Sequence, residues 1–468
     1  MTRVLSVASE CVPLIKTGGL ADVAGALPGA LAPLGVEMRT LLPAYPKVRA
    51  ALGEGPRHEL GEVFGGPAAL IEGQLGEAVL YALDAPHLFD RPGGPYLDEG
   101  GHDFPDNPRR FAALSQVAAR LAAEGIGDWH PEVLHVHDWQ AGLAPLYLSQ
   151  MAPKRRVGTL LTIHNIAFQG MAPPSEIGPL GLPEADFGPE GYEFWGQVSA
   201  LKAGLVWSDR ITTVSPTYAE ELLTPEFGMG LDGLLTARRD ALSGILNGID
   251  TAAWAPPYRT PRGKPRHRAR LRHEMGLPEA EGPLCVVISR LSHQKGLDVL
   301  LDALPALIDH GGQLALLGSG DPALESAFRQ AAEHPNVATR IGYDEALSKR
   351  MVAGGDAILV PSRFEPCGLT QLYGLSHGTL PLVARTGGLN DTVIDANPMA
   401  LQAGAATGLQ FHPVTASGLA GAFARLHALW RAPGHWQRMM KNAMALDVGW
   451  DVSAQAYATL YRDLISAP

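Results

Sequence analysis

The N-terminal part of the chain reads Arg3-Val-Leu-Ser-Val-Ala8 and then, at a glycine-rich turn, Lys16-Thr-Gly-Gly-Leu-Ala-Asp22. Apolar residues follow at helical spacing, at Val23, Leu27, Ala30, Leu31 and Leu34. A β-branched strand, a glycine-rich turn and an amphipathic helix in this order form the first unit of an alternating α/β fold.

The alternation continues along the whole chain. Further strands of the first half are predicted at Arg39–Leu42, Ala78–Leu83, Val133–His137, Gly158–Ile163 and Arg210–Val214. Those of the second half are predicted at Leu284–Ile288, Gln313–Leu317, Val337–Ile341, Ala357–Val360 and Leu380–Val383. Such alternation predicts parallel sheets with helices on both faces. We therefore expect an α/β chain of two doubly wound, Rossmann-like domains that face each other across a cleft.

Composition narrows the class of protein. The chain has 468 residues, of which 46% are hydrophobic and 18% charged, and its net charge is −11. This length predicts at least two domains, and the negative charge argues against a nucleic-acid partner. Three widely spaced cysteines indicate neither disulfides nor a zinc cluster. With no signal peptide or membrane-spanning run in view, we expect a cytoplasmic protein without a membrane partner.

One basic stretch interrupts this picture. Residues Arg259 to Arg272 carry seven Lys and Arg, interspersed with Pro261, Gly263 and Pro265. A nucleic-acid or membrane patch is one interpretation, but the prolines and glycine favour a solvated interdomain connector. The predicted boundaries are 1–250 for the first domain, 251–265 for the linker, 266–445 for the second domain, and 446–468 for a C-terminal helical segment that returns to the first. Within the first domain, Gln169 to Gly196 shows no clear period and is typical of a functional or mobile loop.

Two glycine-containing loops are candidates for anion binding. The loop Lys16–Asp22 offers a lysine and flexible backbone amides to a phosphate, although its spacing is not that of a Walker A loop. A tight turn with an exposed lysine is the simpler interpretation. In the second half, Arg290 and Lys295 leave one strand end together and could clamp a pyrophosphate, or could belong to a solvated loop.

A third candidate follows another apolar strand, at Pro361-Ser-Arg-Phe-Glu-Pro-Cys-Gly-Leu-Thr-Gln371. Glu365 precedes a proline and is expected in extended backbone, while Gly368, Leu369 and Thr370 open the next helix and offer amides to a phosphate. A carboxylate at this place suits recognition of sugar hydroxyls. Its alternative role is to cap the helix.

Histidines close two strands of the first half, in His135-Val-His137-Asp138 and in Thr162-Ile-His164-Asn165. His135 and His137 share a strand face, so a metal pair is conceivable, but no third ligand has matching spacing. For His164 and Asp138, a satisfied polar group at a strand end is the alternative to a functional role.

Taken in order, these motifs resemble the bacterial glycogen synthase and plant starch synthase family, the retaining glycosyltransferases of family 5 with the two-domain GT-B fold. The resemblance covers nearly the whole chain. It also rests on Asp84-Ala-Pro-His-Leu-Phe-Asp-Arg91, Leu246-Asn-Gly-Ile-Asp250, Leu316 to Asp321 and Arg385-Thr-Gly-Gly-Leu389. The family commonly has a longer stretch after Trp254, which affects the hinge.

The resemblance implies roles for individual residues. Those placed near the reaction are Glu365 on the transferred glucose, His164 at its anomeric region, Asp138 on the sugar side, and Arg290 with Lys295 on the pyrophosphate. The implied substrate contacts are Lys16, Gly18, Gly19, Asp22, Tyr96, Asn165, Asn247, Tyr343 at the base, Cys367, Gly368, Leu369 and Thr370.

The implied reaction is transfer of glucose from ADP-glucose to the non-reducing end of glycogen or a malto-oligosaccharide. No cofactor and no metal are expected, since ADP-glucose is a substrate and protein cations meet its charge. Alternatives are a UDP-glucose-using glucan synthase, another retaining transferase such as a sucrose synthase, a phosphorylase, or a non-catalytic glucan-binding protein. A phosphorylase requires a longer chain with a pyridoxal phosphate lysine.

Overall fold

The computed structural model describes residues 1–53, 55–151 and 155–466, whose contacts divide the chain into two compact units. Unit 1 comprises Met1–Val214, Ala219–Asn247 and the chain from Trp450 onward. Unit 2 comprises Ser215–Tyr218 and Gly248–Gly449. Each unit has its own mainly parallel sheet with helices packed on it, so the predicted fold class is confirmed.

The elements as far as Asn247 alternate between strands and helices. The strands are β1 (Thr2–Val7), β2 (Val36–Pro43), β3 (Arg57–Val63), β4 (Gly66–Leu75), β5 (Ala78–Asp84), β6 (Val133–His137), β7 (Gly158–Ile163), β8 (Met171–Ala172), β9 (Glu193–Phe194), β10 (Gln197–Ser199), β11 (Arg210–Thr213) and β12 (Leu242–Gly244). The helices are α1 (Gly19–Leu31), α2 (Pro46–Leu52), α3 (Pro86–Phe89), α4 (Asn107–Glu124), α5 (Ala144–Gln150), α6 (Ala200–Trp207), α7 (Pro216–Glu221) and α8 (Asp232–Ala237).

The remaining elements repeat the alternation. The strands are β13 (Leu284–Ile288), β14 (Gln313–Gly318), β15 (Val337–Ile341), β16 (Ala357–Val360), β17 (Leu380–Ala384) and β18 (Leu409–Phe411). The helices are α9 (Lys264–Met275), α10 (Leu297–Asp309), α11 (Pro322–Ala331), α12 (Glu345–Gly354), α13 (Thr370–His377), α14 (Gly387–Thr392), α15 (Pro398–Ala403), α16 (Ala416–Trp430), α17 (Pro433–Ala445) and α18 (Asp451–Ser466). Among the described residues, none of these helices is long and apolar enough to span a membrane.

The sheet of unit 1 is parallel through its centre. Within the described residues its strand order is β12-β11-β7-β6-β1-β2-β5-β4-β3, and β1 pairs in parallel with both β2 and β6. Its central strands β6 and β7 are buried along their whole length and are mainly apolar, and the polar side chains of His135 and Thr162 hydrogen-bond to each other inside the sheet. The carboxyl ends of β1, β6 and β7 therefore meet at one edge of this sheet.

One edge of that sheet departs from the prediction. Strands β3 and β4 form a hairpin that pairs antiparallel to β5, so the sheet is not parallel throughout. The hairpin turns at Phe64 and Gly65, which both have positive φ, at 49° and 84°. Two successive positive φ values make the tight turn that matches strand twist, but Phe-Gly is not among the dipeptides that signal such a turn. The sequence therefore did not indicate this hairpin.

The segment from Gln169 to Gly196, predicted as a loop without period, contains short ordered elements. Strands β8 and β9 pair with β10 in a small sheet of order β8-β10-β9. These strands have two or three residues each, too few for a period-two pattern to be visible in the sequence.

In unit 2 the described strands form one parallel sheet of order β15-β14-β13-β16-β17-β18. The predicted bounds of β13, β15 and β16 are confirmed to the residue. A contiguous core between this sheet and its helices includes Val287, Leu300, Leu316 and Leu375. The loops after β13 and β16 leave the same edge of the sheet.

The prediction of a solvated connector over Arg259 to Arg272 is wrong where α9 forms. Pro265 lies in the first turn of α9, where a missing amide hydrogen is tolerated, so it marks a helix start. The Lys264 Nζ is buried and donates to Thr379 Oγ1 at 2.6 Å and to Tyr258 Oη at 3.0 Å. Burial lowers the pKa of Lys264 to about 7.

The last helix, α18, packs into unit 1. It buries Tyr457, Tyr461 and Leu464 against a core that includes Val23 of α1 and Leu160 of β7. The Tyr461 hydroxyl also bonds with His135 Nδ1 at 2.8 Å. The carboxyl-terminal helix thus completes the core of the domain that the N-terminus begins.

This packing predicts that Leu464→Ala lowers the free energy of unfolding of unit 1 by about 2–5 kcal/mol, because it leaves a cavity under α18. The neighbouring Ile465 is 37% exposed, so Ile465→Ala should change it by less than about 1 kcal/mol. Urea unfolding followed by circular dichroism measures both. Equal effects for the two variants would contradict the packing described.

Candidate active site

The Lys16 loop joins the end of β1 to the start of α1. Its Lys16 Nζ lies 2.7 Å from Asp22 Oδ1 in the first turn of that helix. The lysine side chain is 42% exposed, so solvent reaches the ion pair and an incoming anion could compete with Asp22. The structure therefore brings together two residues that the resemblance assigned to the donor.

The carboxylate of Glu10, which the sequence did not single out, organises this loop. Glu10 is buried and accepts hydrogen bonds from the Thr17 hydroxyl at 2.7 Å, the Thr17 amide, and the Gly18 amide at 3.2 Å. The Tyr96 hydroxyl donates to the same carboxylate at 2.9 Å. A carboxylate thus takes the amide of Gly18, which was expected to face a phosphate. The available signal was its place just after β1, where the other candidates also follow strand ends.

Tyr96 is held by this network. Its hydroxyl also lies 2.7 Å from Ser9 Oγ. Burial, with the nearby charge of Glu10, holds the pKa of Tyr96 well above its ordinary value, so the phenol stays protonated. In this structure the hydroxyl of Tyr96, which was predicted to lie on the sugar side, is already bonded to protein.

The histidines at the ends of β6 and β7 form a buried chain of hydrogen bonds. His135 Nε2 lies 2.6 Å from Thr162 Oγ1, while His137 bonds with Ser6 Oγ at 3.1 Å and with His164 Nε2 at 3.0 Å. Burial lowers the pKa of all three rings, that of His137 to about 3, so they are neutral.

A metal pair at His135 and His137 is not supported. Both nitrogens of each ring already have hydrogen-bond partners in the protein. Over the described ranges, no group of three or more His, Cys, Asp and Glu is placed to hold a metal ion. The prediction that the two rings share a strand face is confirmed, since their centroids lie 4.1 Å apart.

Asp138 holds the loop that carries His164. Its Oδ1 accepts from the His164 amide at 2.6 Å and from the Asn165 amide at 3.4 Å. Asp138 has φ of 54°, a left-handed conformation that is strained for a residue with a side chain. Burial raises its pKa to about 7, against the lowering effect of the two amides, and the charge of Glu10 adds to the rise. Glu10 and Asp138 therefore share one edge of the sheet.

Two predicted substrate contacts of unit 1 remain. The Asn165 side-chain oxygen accepts from the Ala167 amide at 3.1 Å, which makes a local turn rather than an open site. Asn247 is 8% exposed, and its Oδ1 has no hydrogen-bond partner among the described residues. A buried, unsatisfied amide oxygen is unusual and is compatible with a ligand contact.

In unit 2, the loops after β13 and β16 line a pocket that is open to solvent, with a cavity volume of about 50 Å³. Its lining residues include five predicted ones, Lys295, Glu365, Gly368, Leu369 and Thr370. Arg290 lies on the loop after β13 and is exposed, and Tyr343 is 80% exposed. Neither is among the lining residues of the pocket.

Two of the residues that line this pocket form an ion pair. Lys295 Nζ lies 2.6 Å from Glu365 Oε2, which also accepts from the Ser362 hydroxyl at 2.8 Å. Both charged side chains are largely buried, with 19% and 8% of their side-chain area exposed. The interpretation of Glu365 as a cap of α13 is wrong, because no side chain caps that helix.

The start of α13 is built by glycines. Gly368 has φ of +74°, a left-handed conformation that is strained for a residue with a side chain. Cys367, which precedes it, is buried. The Leu369 residue then begins the helix without a side-chain cap, which leaves its first amides to other acceptors.

Gly387 and Gly388, whose role the sequence left open, fix the backbone of Glu365. The Gly388 amide donates to the Glu365 carbonyl at 3.1 Å. A Cβ on Gly387 would lie 2.0 Å from that carbonyl oxygen, and Gly387 has φ of +42°. This close approach of two backbones explains why the motif Arg385–Leu389 contains two glycines.

Comparisons with known proteins agree with this architecture. Residues 3–237 match the family model described as the starch synthase catalytic domain, and residues 282–428 match that of glycosyl transferases group 1. The chain is 67% identical to a glycogen synthase of Paracoccus denitrificans and 57% identical to one of Jannaschia sp., over 99% of each chain. The catalytic domain of starch synthase IV from Arabidopsis thaliana, solved with ADP and acarbose, superposes with a TM-score of 0.87 at 31% identity over 100% of both chains.

The raised pKa of Asp138 predicts a pH dependence of stability. The folded-state pKa of about 7 lies above the unfolded value of about 3.9, so the folded state holds the proton more tightly between them. The stabilisation is complete below about pH 4 and is lost as the pH rises through about 7. The free energy of unfolding should therefore fall as the pH rises. Asp138→Asn, which retains an acceptor oxygen, should remove the part of this fall that is due to Asp138.

Urea unfolding at pH 5 and pH 8 measures the effect. The exposed Asp128 of the same unit supplies the control Asp128→Asn, which should keep the wild-type decline. An Asp138→Asn protein whose stability falls as steeply as that of the control would disprove the assignment.

Proposed function

Since the chain belongs to the starch synthase family of glycosyltransferases, we propose that it is a glucosyltransferase that extends an α-1,4-glucan from ADP-glucose with retention of configuration. The acceptor is the non-reducing end of glycogen or a malto-oligosaccharide. The observation that carries the proposal is the Lys295–Glu365 ion pair in the pocket at the start of α13. It combines a cation for a diphosphate with a carboxylate for a sugar.

The diphosphate is assigned to Lys295, Arg290 and the first amides of α13. Lys295 is a point charge inside the pocket, whereas Arg290 is exposed on the same loop and offers planar bidentate donors. The amides of Leu369 and Thr370 add the positive end of the helix dipole. The exposed ring of Tyr343 is assigned to the base.

Glu365 is assigned to the transferred glucose. A carboxylate in a largely buried pocket accepts hydrogen bonds from sugar hydroxyls strongly, because water competes little there. In the ion pair, Lys295 Nζ lies 2.6 Å from Glu365 Oε2 and holds this carboxylate in place. When a diphosphate forms an ion pair with Lys295, Oε2 of Glu365 loses its contact with Lys295 and can accept a hydrogen bond from the sugar.

The assignments in unit 1 concern phosphate and sugar. Lys16 with the Gly19 amide is assigned to a phosphate, and Asp22, Tyr96, Asp138 and Asn247 to further polar contacts. His164 is assigned to the anomeric region. Its neutral ring suits this role, because an imidazolium would repel the positive charge that develops on the sugar.

The proposed reaction is a displacement that is dominated by electrostatics. The bond from the anomeric carbon to the diphosphate oxygen breaks, Lys295 and Arg290 stabilise the leaving charge, and the acceptor O4 forms a bond on the same face. The acceptor proton goes to the departing phosphate. We propose that no metal or cofactor is needed, since protein cations meet the diphosphate charge, and that the protein acts in the cytoplasm.

Incubation of the purified protein with glycogen and ADP-glucose or UDP-glucose tests the function. We expect ADP release with glucan extension, and a catalytic efficiency with ADP-glucose about tenfold or more above that with UDP-glucose. Excess EDTA should leave the rate unchanged. Glucan binding without ADP release would indicate a non-catalytic binder, equal use of both donors would contradict the donor assignment, and loss of activity restored by Mg²⁺ would contradict the metal-free proposal.

The ion pair predicts opposite effects of its two members on nucleotide binding. Lys295→Ala should lower turnover by about 10²-fold and weaken ADP binding, because the leaving charge loses its cation. Glu365→Gln should also abolish most turnover, but it frees Lys295 from competition. ADP should therefore bind to Glu365→Gln at least as tightly as to the wild type. Calorimetric titration of ADP measures both.

Two controls accompany this experiment. Arg329→Ala removes an exposed cation of unit 2 and should leave turnover and ADP affinity unchanged. Lys295→Arg keeps the charge, so recovery of ADP affinity in it shows that Lys295→Ala acts through charge. A Glu365→Gln protein that binds ADP as weakly as Lys295→Ala does would show that Glu365 supports the nucleotide, not the sugar.

A further inference from the structure

Large apolar side chains gather at the surface of unit 1 around the β9–β10 hairpin. Trp195 is 81% exposed, Phe168 53% and Met229 39%. The hairpin lies against the loop that contains Met229, since a Cβ on Gly230 would lie 3.1 Å from Phe194 Cζ and 3.4 Å from Trp195 Nε1. We call Phe168, Phe194, Trp195 and Met229 the aromatic ridge.

The ridge is held in strained backbone. Trp195 has φ of 51° and Met229 has φ of 50°, in the left-handed region that glycine adopts freely and other residues avoid. Among the described residues, the other non-glycine residues with positive φ are Phe64 and Asp138. This conformation lowers the stability of the fold at both positions. Strained residues of this kind are typical of functional surfaces.

The tip of the hairpin is also firmly anchored. The Gly196 amide donates to Glu193 Oε1 at 2.6 Å, which closes the turn around Trp195. The buried Lys202 Nζ donates to the carbonyl oxygens of Glu193 and Pro189, both at 2.6 Å. Because these bonds hold the backbone on both sides of Trp195, that backbone has little freedom to lose on binding.

The ridge is continuous with the proposed sugar site of the same unit. Phe168 donates its amide to the Asn165 carbonyl at 3.3 Å, so it stands one turn beyond His164 and Asn165. Gln169 then donates its side-chain amide to the Met229 carbonyl at 3.3 Å, which connects the turn to the Met229 loop. The ridge therefore begins where the assigned sugar contacts end.

Its chemistry fits a carbohydrate chain better than a protein. Pyranose rings present C–H faces to aromatic rings and hydroxyls at their edges, and Glu193, Gln169 and Gln197 supply polar groups beside the ridge. Three exposed side chains are far fewer than the roughly 20 residues per side of a stable protein interface. An α-glucan needs only a row of aromatic contacts.

We propose that the aromatic ridge binds a linear α-1,4-glucan chain, with the ring of Trp195 packed on the face of one glucose unit. The inference rests on the proposed function, because only a polymeric acceptor has sugars beyond those in the reacting site. The ridge holds units on the reducing-end side of the acceptor. It favours long acceptors over short ones without contributing to the chemical step.

The test compares Trp195→Asn with Trp195→Phe. Asparagine tolerates positive φ, so the first variant removes the ring without new strain and should unfold at a temperature no lower than the wild type. Its Kd for maltoheptaose, measured by calorimetry without donor, should rise about fivefold to tenfold, whereas that of Trp195→Phe should stay within about twofold. Met399→Ala, which removes a 71% exposed side chain of unit 2, is the control and should bind as the wild type does.

The activity of the same proteins separates the two proposals. With maltose as acceptor, Trp195→Asn should turn over like the wild type, while its KM for glycogen rises and its kcat is retained. A wild type that transfers glucose, together with an unchanged maltoheptaose Kd in Trp195→Asn, overturns the ridge and leaves the proposed function standing. A wild type that transfers glucose to no acceptor overturns the proposed function, and the maltoheptaose titration then judges the ridge alone.

Sedimentation velocity tests whether the ridge is instead a contact between two copies of the chain. If the wild type self-associates, Trp195→Asn is monomeric and both bind maltoheptaose equally, the ridge is a contact between copies of this chain and the inference is wrong.

Discussion

The need to keep the buried carboxylate of Glu365 paired governs the site of unit 2. Removing a carboxylate from water costs several kcal/mol unless a cation and hydrogen bonds replace the lost solvation. Lys295 at 2.6 Å and the hydroxyl of Ser362 at 2.8 Å supply that replacement. Their loops must leave β13 and β16 at the same edge of the sheet, and Gly387 and Gly388 must let a second backbone approach to hold the Glu365 carbonyl. The pocket follows from these demands.

Unit 1 meets a similar demand with amides instead of a cation. The carboxylate of Glu10 is surrounded by the hydroxyl of Thr17, the amides of Thr17 and Gly18, and the phenol of Tyr96. These donors shape the glycine-rich loop before any substrate arrives. A phosphate that approaches this loop therefore meets a preformed set of groups, of which the half-exposed Lys16, paired with Asp22, is the most open to exchange.

The end of β6 shows how burial decides charge. His137 and His164 are neutral because burial lowers their pKa, and Asp138 has a pKa of about 7 for the same reason acting on a carboxyl. The histidines at the ends of β6 and β7 therefore add no positive charge to this edge of unit 1, whereas the pocket of unit 2 contains the cation Lys295. Such a division agrees with the proposed chemistry, in which cations receive the leaving diphosphate and the neutral imidazole of His164 adjoins the sugar.

The sequence by itself was enough to predict the alternating α/β architecture and most of the central strands. Strands such as β6, β7, β13 and β16 were predicted to the residue, because a parallel strand buried on both faces is mainly apolar. The loops that follow them were located for the same reason, and with them five of the residues that line the pocket of unit 2. The motifs also indicated the family, which the comparisons confirm.

Only the tertiary structure decided the features that depend on partners distant in sequence. The edge strand β3 is mostly polar, and the helix α9 lies within a basic stretch, so no continuous apolar run marks either of them. The antiparallel pairing of β4 with both of its neighbours likewise has no local signal. Glu10 is one carboxylate among many until the fold brings Tyr96 to it across 86 residues. The left-handed conformation of Trp195 is imposed by its anchored turn and not by its own preference. Local periodicity reports which faces are buried, but it holds no record of which remote groups must satisfy a buried charge or hold a strained backbone.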